Sequence, residues 1–363
     1  MLHEESRGLI LKSENYVFIS YLDSDYSRTS VYLTSFTKKN YLFWKVQGSK
    51  ISKIRSLLIL SMKYSRARTT YIVMSPCHSL VIPLRFLTLR PIILDAGWSL
   101  TEALLARNLG PKFSSQRLFT YITDLLSFHL ANASIFESQQ QCIWVQKKFA
   151  LNNSKVRSLF TGFNESIYRD LNPVMPVELD ERIEYQTGYI LFRGSFTNEA
   201  GLDLLYGVTQ ADENLGKKFI IATNRKLEYF EKCSNVLFLQ RRLSESEIKY
   251  LYQNCSIAIG QLRKTLRSIN TVPHKAFEAA YFAKPYLTAD SLGIREFLTN
   301  ADQAIYTDSE SVEVLADLLH RTVTDKALLT KTGALAKTRY DEVASQEKLQ
   351  NQFSTILTTF NRA

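Results

Sequence analysis

Short apolar runs alternate with helical patterns along this chain, and no other feature restricts its fold as strongly. In the first half the runs are Tyr16 to Ser20, Tyr41 to Val46, Thr70 to Met74, Pro91 to Leu94, Ala133 to Phe136 and Val156 to Phe160. Strands that are apolar almost throughout need cover on both faces, which points to a parallel sheet between helices. Between the second and third runs, Ile51, Ile54, Leu58 and Met62 recur at spacings of three and four. That period predicts a helix over 51–62 with these residues on its apolar stripe.

The alternation lapses once. LNPVMPVELDERIEYQ, at 171–186, has two prolines, four acidic residues and no clear period, and reads as a linker. The pattern then restarts, with strands expected at Tyr189 to Phe192, Phe219 to Ala222, Val236 to Leu239, Ser256 to Ile259, Tyr286 to Thr288 and Ala304 to Tyr306. Ser244 with Glu247 three residues on is close to a capping box. From Ser309 to Phe360 the chain reads as mostly helical. The 363 residues exceed one ordinary core of about 150. The expected division is a first domain over 1–165, a linker over 166–187, a second domain over 188–345, and a final helix over 346–363 that can pack back on the first domain. The fold class is α/β, two facing Rossmann-like domains with a cleft between them. Ligands then belong at the carboxyl ends of the strands.

Charge separates the halves. Residues 1–150 hold 19 Lys and Arg against 9 Asp and Glu, whereas 151–363 hold 26 of each, so the whole net charge of +10 lies in the first half. Residues 26–94 contain 12 basic residues and no acidic one, with Tyr41, Phe43 and Trp44 among them. Such a surface attracts an anionic partner, either a phosphorylated substrate or anionic lipid headgroups. No nucleic-acid module accompanies the charge, so nucleic acid is not expected as a partner. The four cysteines are far apart, which excludes a disulfide scaffold and zinc-finger spacing and suits a reducing compartment. MLHEESRGLI lacks the apolar core of a signal peptide, and Arg85 and Arg90 interrupt the most apolar run, Leu80 to Leu94.

The sharpest motif is VPHKAFEAAYFAKPYLTAD, Val272 to Asp290. Pro273 suits a helix start, and Lys275 and Glu278 share one face near that start. A carboxylate here can accept hydrogen bonds from two sugar hydroxyls, while the lysine and the helix N-terminus favour phosphate. From spacing alone, a surface Lys–Glu pair is the simpler account.

The same run resembles glycosyltransferase family 4, a large group with the GT-B fold. Pro273, Lys275, Glu278, Lys284 and Pro285 fill the family's P-x-K-x-x-E-x-x-x-x-x-K-P pattern, and GIREFL (Gly293 to Leu298) is similar to its following tail. ILFRGSFTNEAGLDLL resembles the family's first strand-turn-helix of the donor domain, and LQRRLSESEIKYLYQNCSIAI the segment whose turn, here with Arg241, holds the nucleobase. The passage Leu130 to Glu165 is similar to the one that closes the family's N-terminal domain. The resemblance implies a metal-independent glycosyltransferase that needs no cofactor beyond its nucleotide-sugar co-substrate. It implies that Glu278 binds the ribose.

Three positions depart from the family. Its basic pair in the first donor loop falls on Ser195 and Ala200, the first of its paired glutamates falls on Asn270, and its glycine-rich turn after the first strand is replaced by LDSDYSRTS. A leaving diphosphate needs cations or helix N-termini. The expected substitutes are Arg193 beside Gly194 and Ser195, with Arg263, Lys264 and Arg267 in the loop before Pro273, and Lys275 and His274 in the helix. As general base the sequence offers Asp95, at the end of a strand, and Asp25, in the loop after the first strand. Each is also an ordinary turn or cap residue. His78, after a strand, is a further residue able to face the cleft.

These readings lead to transfer of a sugar from a nucleotide sugar to a glycan or lipid-linked acceptor, for cell-surface polysaccharide or glycolipid. The enzyme would sit in the cytoplasm, peripheral on the inner face of an anionic membrane, with apolar insertion by residues such as Phe43 or Trp44. The alternative is a catalytically inactive GT-B protein that serves as a binding subunit of a transferase complex. A sugar-nucleotide epimerase of the same fold is a third option, but its motifs are not visible.

Overall fold

The computed structural model describes residues 15–24, 27–33, 41–64, 69–106, 114–180, 182–211, 217–223, 228, 230 and 233–361. Among these, the strands form two six-stranded sheets in which every pairing is parallel. The first sheet comprises β1 (Asn15–Ser20), β2 (Tyr41–Lys45), β3 (Thr69–Met74), β4 (Ile92–Gly97), β5 (Ala133–Phe136) and β6 (Val156–Ser158), in the order β2-β1-β3-β4-β5-β6. The second comprises β7 (Ile190–Arg193), β8 (Phe219–Ala222), β9 (Val236–Leu239), β10 (Ile257–Ile259), β11 (Tyr286–Ala289) and β12 (Ile305–Thr307), in the order β12-β11-β10-β7-β8-β9. Strand order reverses between β1 and β3 in one sheet and between β7 and β10 in the other, and ligands of open α/β sheets sit at such points.

Helices of the first domain are α1 (Ser27–Leu33), α2 (Lys50–Lys63), α3 (Val81–Leu87), α4 (Leu100–Ala106), α5 (Ser115–Leu130) and α6 (Gln139–Phe149). After α7 (Glu165–Arg169) come α8 (Leu202–Ala211), α9 (Glu245–Asn254), α10 (Leu266–Asn270), α11 (His274–Tyr281), α12 (Leu292–Phe297), α13 (Val312–Thr324), α14 (Lys326–Val343) and α15 (Gln346–Asn361). Each sheet carries a core layer on both faces, which explains its unbroken apolar runs. At α9 the capping box is complete: Ser244 Oγ accepts from the Glu247 amide, and Glu247 accepts from the Ser244 amide.

The chain crosses between the domains twice, and the crossings are tied together. Glu165 accepts hydrogen bonds from Tyr340 Oη (3.0 Å) and the Gln346 amide (2.7 Å), while Gln346 accepts from Ser166 (3.1 Å). The last helix, α15, then buries Leu349, Phe353 and Leu357 in the first domain beside Phe18 and Tyr32. Gly162 makes that docking possible. Its φ of 71° lies in the left-handed region, and a Cβ there would stand 2.1 Å from Leu349 Cδ1.

The outer face of the first domain differs from the sequence expectation. Helix α2 forms, but it buries Leu57, Leu60 and Ser61, whereas Ile51 is 80 % exposed and Ile54, Leu58 and Met62 also face outward. The cause lies in Leu57-Leu58-Ile59-Leu60, which supplies apolar residues to several faces, so periodicity cannot select the one that meets the sheet. Phe43 and Trp44 are half-buried instead of projecting, and Trp44 Nε1 donates to Ser56 Oγ at 2.7 Å. Arg28, counted with the surface charge in the sequence, is enclosed.

Candidate active site

The carboxyl ends of the two sheets face each other across a cleft with two adjoining chambers. The first, about 390 Å³, is lined by Phe163, Tyr168, Thr223, Arg241, Leu243 and Glu278, among others. The second, about 470 Å³, lies against the first domain and is lined by Arg28, Trp98, Glu137, Thr161, Arg267 and Lys275, among others. Arg193, Gly194, Ser195 and His274 line both.

Glu278 is the anchor of the first chamber. It lies in α11, which packs between the sheet and α14, so only the helix's inner face sees the cleft. Its side chain is 1 % exposed. Arg193, at the end of β7, reaches both oxygens, from Nη2 to Oε1 at 3.1 Å and from Nη1 to Oε2 at 3.2 Å. His274 Nδ1 lies 3.3 Å from Oε1, and Tyr252 Oη donates to Oε2 at 2.7 Å. Burial alone would raise the carboxyl, but Arg193, His274 and Tyr252 together hold it at about 2.

Lys275 is the complement. Among the described residues its ammonium meets no carboxylate partner and lies 4.0 Å over the Phe192 ring. Burial pushes it down to about 7, against the pull of Glu278. Gly194 gives it room: φ is 150°, and a Cβ there would stand 3.2 Å from Lys275 Nζ. Ser195 and Ala200 bring no charge to this loop. Ala200 and Ser195 line the second chamber, whose cations come from Arg28, Arg193, Arg267 and Lys275.

Other residues separate into those that reach the cleft and those that do not. Arg267 reaches it and stacks over Trp98 of the first domain, 5.1 Å from the ring centroid. Arg241 lines the rim of the first chamber, gripped by Glu178 (2.7 and 2.8 Å) and Glu247 (2.5 and 3.1 Å). Arg263 does not line either chamber. It pairs with Asp203 and Glu310, and Lys264 beside it pairs with Asp308, so acidic neighbours turn both away. Asn270 is also outside the lining. Its side-chain amide donates to Glu102 of the first domain at 2.8 Å, and Gln141 donates to the other oxygen of Glu102 at 2.8 Å. A glutamate at 270 would set two carboxylates against each other there.

Asp95 does not face the cleft. Strand β4 continues to Gly97, two residues past Asp95, so the carboxylate lies within the sheet edge and is fully enclosed. Arg28 takes both its oxygens, with Nε at 3.0 and 2.9 Å and Nη2 at 2.7 Å. Asp25 lies outside the described residues. His78 is enclosed as well, its Nε2 3.1 Å from the Trp98 carbonyl. The carboxylate that the first domain does bring to the described cleft lining is Glu137, which accepts from Thr161 Oγ1 at 3.1 Å. Burial raises it, against the pull of Arg267 and Arg28. Sequence reasoning missed Glu137 and the cleft position of Arg28 and Trp98. The only signal was their place just after strands.

Among the described residues, four enclosed polar atoms along the two chambers have no hydrogen-bond partner: Asn164 Oδ1, Thr223 Oγ1, Glu199 Oε1 and His274 Nε2. Buried polar atoms are rarely left so, and a cluster of them in a cavity marks a place for a polar ligand.

Comparisons with known proteins agree with this geometry. Residues 181–339 match the model of the family described as glycosyl transferases group 1. No curated protein matches the sequence. Among solved structures, the chain is similar to HepE of Anabaena in complex with UDP, at TM-score 0.70 and 10 % identity over 95 % of this chain and 100 % of that one. It is similar to sucrose-phosphate synthase of Thermosynechococcus elongatus at TM-score 0.72 and 9 % identity, over 96 % and 99 % of the two chains. A UDP-forming α,α-trehalose-phosphate synthase of Burkholderia vietnamiensis gives TM-score 0.70 and 9 % identity, over 95 % and 99 %. The chain therefore has the GT-B fold, and its second domain, which carries Glu278 and Lys275, matches the group 1 glycosyl transferases.

Proposed function

We propose that this protein is a glycosyltransferase that moves a sugar from a nucleotide-sugar donor to a glycan or lipid-linked acceptor, without a metal ion. The observation that carries the reading is the buried carboxylate Glu278 set against Arg193, His274 and the unpaired ammonium of Lys275 at the switch point of the second sheet. Nucleoside and diphosphate need these two chemistries side by side. HepE, a similar structure, is described in complex with UDP and with UDP-glucose. In the reaction the bond from the sugar's anomeric carbon to the diphosphate oxygen breaks, and a bond to the acceptor oxygen forms. Lys275, Arg193 and Arg267 stabilise the charge that gathers on the diphosphate. The acceptor hydroxyl loses its proton on the first-domain side, where Glu137 is the available carboxylate and Asp95 is not.

The acceptor side has a second feature. Helix α3 packs between α2 and α5, and the three leave Ile51, Ile54, Leu58, Phe86, Leu118 and Phe119 on the surface. Lys50, Arg55 and Lys63 stand among them, and the one acidic residue of these helices, Asp124, is buried on Ser99 and Thr101. This face supports work at the cytoplasmic side of an anionic membrane on a lipid-linked acceptor, for surface polysaccharide or glycolipid. Among the described residues no helix is long and apolar enough to cross a membrane.

The deciding experiment is a thermal shift with a panel of nucleoside diphosphates, together with hydrolysis of nucleotide sugars. Stabilisation by one diphosphate, and release of that diphosphate from its sugar conjugate, is the expected result. No shift and no hydrolysis would sink the transferase reading and leave an inactive binding subunit.

A further inference from the structure

We propose that Arg193 is a two-position side chain: one position closes the Glu278 carboxylate, and the other holds the diphosphate of a bound nucleoside diphosphate. The inference rests on the donor-binding reading and adds how that site selects its ligand.

An ionised carboxylate offers about four acceptor positions. At Glu278 all four are taken: two by Arg193, one by His274 and one by Tyr252. A ribose diol needs two of them. Tyr252 and His274 each meet one oxygen of Glu278 once, so neither alone can free two positions. Arg193 can. It is the exposed member of its pair, at 24 % against 1 % for Glu278, and it borders both chambers. Gly194, Ser195 and Lys275 line the second chamber with it, and Ser195 and Ala200 bring no charge there.

The exchange keeps every hydrogen-bonding group engaged. Two ribose hydroxyls replace the guanidinium on Glu278, while the diphosphate receives the guanidinium. Half a ligand cannot drive it. A nucleoside would strip Arg193 from its carboxylate and leave it without an anion. Pyrophosphate would draw Arg193 away and leave Glu278 short of donors. Both leave an ionised group short of hydrogen-bond partners, which is costly. The site thereby admits the joined nucleoside diphosphate and excludes its fragments.

The test is calorimetric titration of wild type, Arg193→Ala and Glu278→Gln with uridine, adenosine and guanosine, their diphosphates, and pyrophosphate. Arg193→Ala should bind the matching nucleoside at least about threefold more tightly and its diphosphate about tenfold more weakly, opposite signs from one substitution. Glu278→Gln should bind pyrophosphate more tightly and the nucleoside diphosphate more weakly. Arg193→Gln, which keeps a hydrogen-bonding side chain in place, should repeat the first pattern at smaller size if the alanine variant does not fold. A nucleoside affinity that stays level or falls in the Arg193 variants, with the diphosphate bound by wild type, would overturn the switch and leave donor binding intact. Wild type that binds no nucleoside diphosphate would instead remove the donor-binding reading and the switch with it.

Discussion

Each domain sets a buried carboxylate against an arginine near the carboxyl ends of its strands, Asp95 on Arg28 and Glu278 on Arg193, and the two pairs are built for different work. In the first domain, Arg28 and Asp95 are 2 % and 0 % exposed, and Arg28 also donates to the Leu159 carbonyl and to Thr161. Burial disfavours the guanidinium charge, but Asp95 more than offsets this and the net shift is upward. In the second domain, Glu278 is as deeply buried as Asp95, yet Arg193 opens onto two chambers. The same two residue types thus give a structural strut where both partners are enclosed, and a movable contact where one is not.

Breaking the strut should give the largest effect. Arg28→Met leaves Asp95 buried without its cation and should cost about 3–5 kcal/mol of stability in chemical denaturation. Arg28→Met with Asp95→Leu should recover most of that loss, because the uncompensated charge is gone. A single-variant loss below about 1 kcal/mol would mean that the pair does not hold the domain.

The second domain should respond in binding more than in stability, and Lys275 gives that response a pH signature. Its ammonium titrates near 7 in the folded protein, so a diphosphate binds best below that pH, where the group is charged. As pH rises above 7 the affinity should fall by up to about tenfold per unit, one proton being taken up on binding. Lys275→Gln should flatten the profile, and a slope that survives the substitution would place the titrating group elsewhere. The stability term has the opposite sign. Between about 7 and the unfolded value of 10.5, the unfolded chain holds the proton that folded Lys275 has lost, so this group makes stability rise with pH.

The join between the domains comes next. Gly162→Ala puts a methyl on Leu349 and forces a residue with a side chain into the left-handed region, and should cost about 1–3 kcal/mol while unseating α15. Protease digestion can follow the released helix, and unchanged cleavage at α15 would argue against the contact.

The smallest effect concerns the outer face of the first domain. Vesicles with anionic lipid should co-sediment the protein and neutral vesicles should not, with salt weakening the attachment. Each lysine or arginine at the surface contributes about 1 kcal/mol. Leu118→Glu with Phe119→Glu should abolish pelleting, whereas Val177→Glu, on an exposed residue elsewhere, should not. Equal recovery in the supernatant with all vesicles would remove the membrane from the proposal and leave the donor site untouched.

The architecture was legible in the order of residues because it depends on local, repeated chemistry. Unbroken apolar runs specify doubly covered parallel strands, and all twelve expected strands are found within three residues of their expected limits. The motif around Glu278 was legible for a related reason. A helix and the strand after it keep a fixed geometry, so Lys275 and Glu278 hold their relation wherever the helix goes. What tertiary structure alone decided depends on neighbours far along the chain. Asp95 is a strut because Arg28, 67 residues away, meets it. Arg263 leaves the cleft because Asp203 and Glu310 claim it, while Arg267, four positions on, stays because Trp98 lies opposite. The face of α2 that turns outward was set by its packing in the fold, since the run Leu57 to Leu60 puts apolar residues on several faces. Local periodicity determines which elements form. Which charges end up paired, buried or free is settled only when the elements close on one another, because desolvation and ion pairing act through space and not along the sequence.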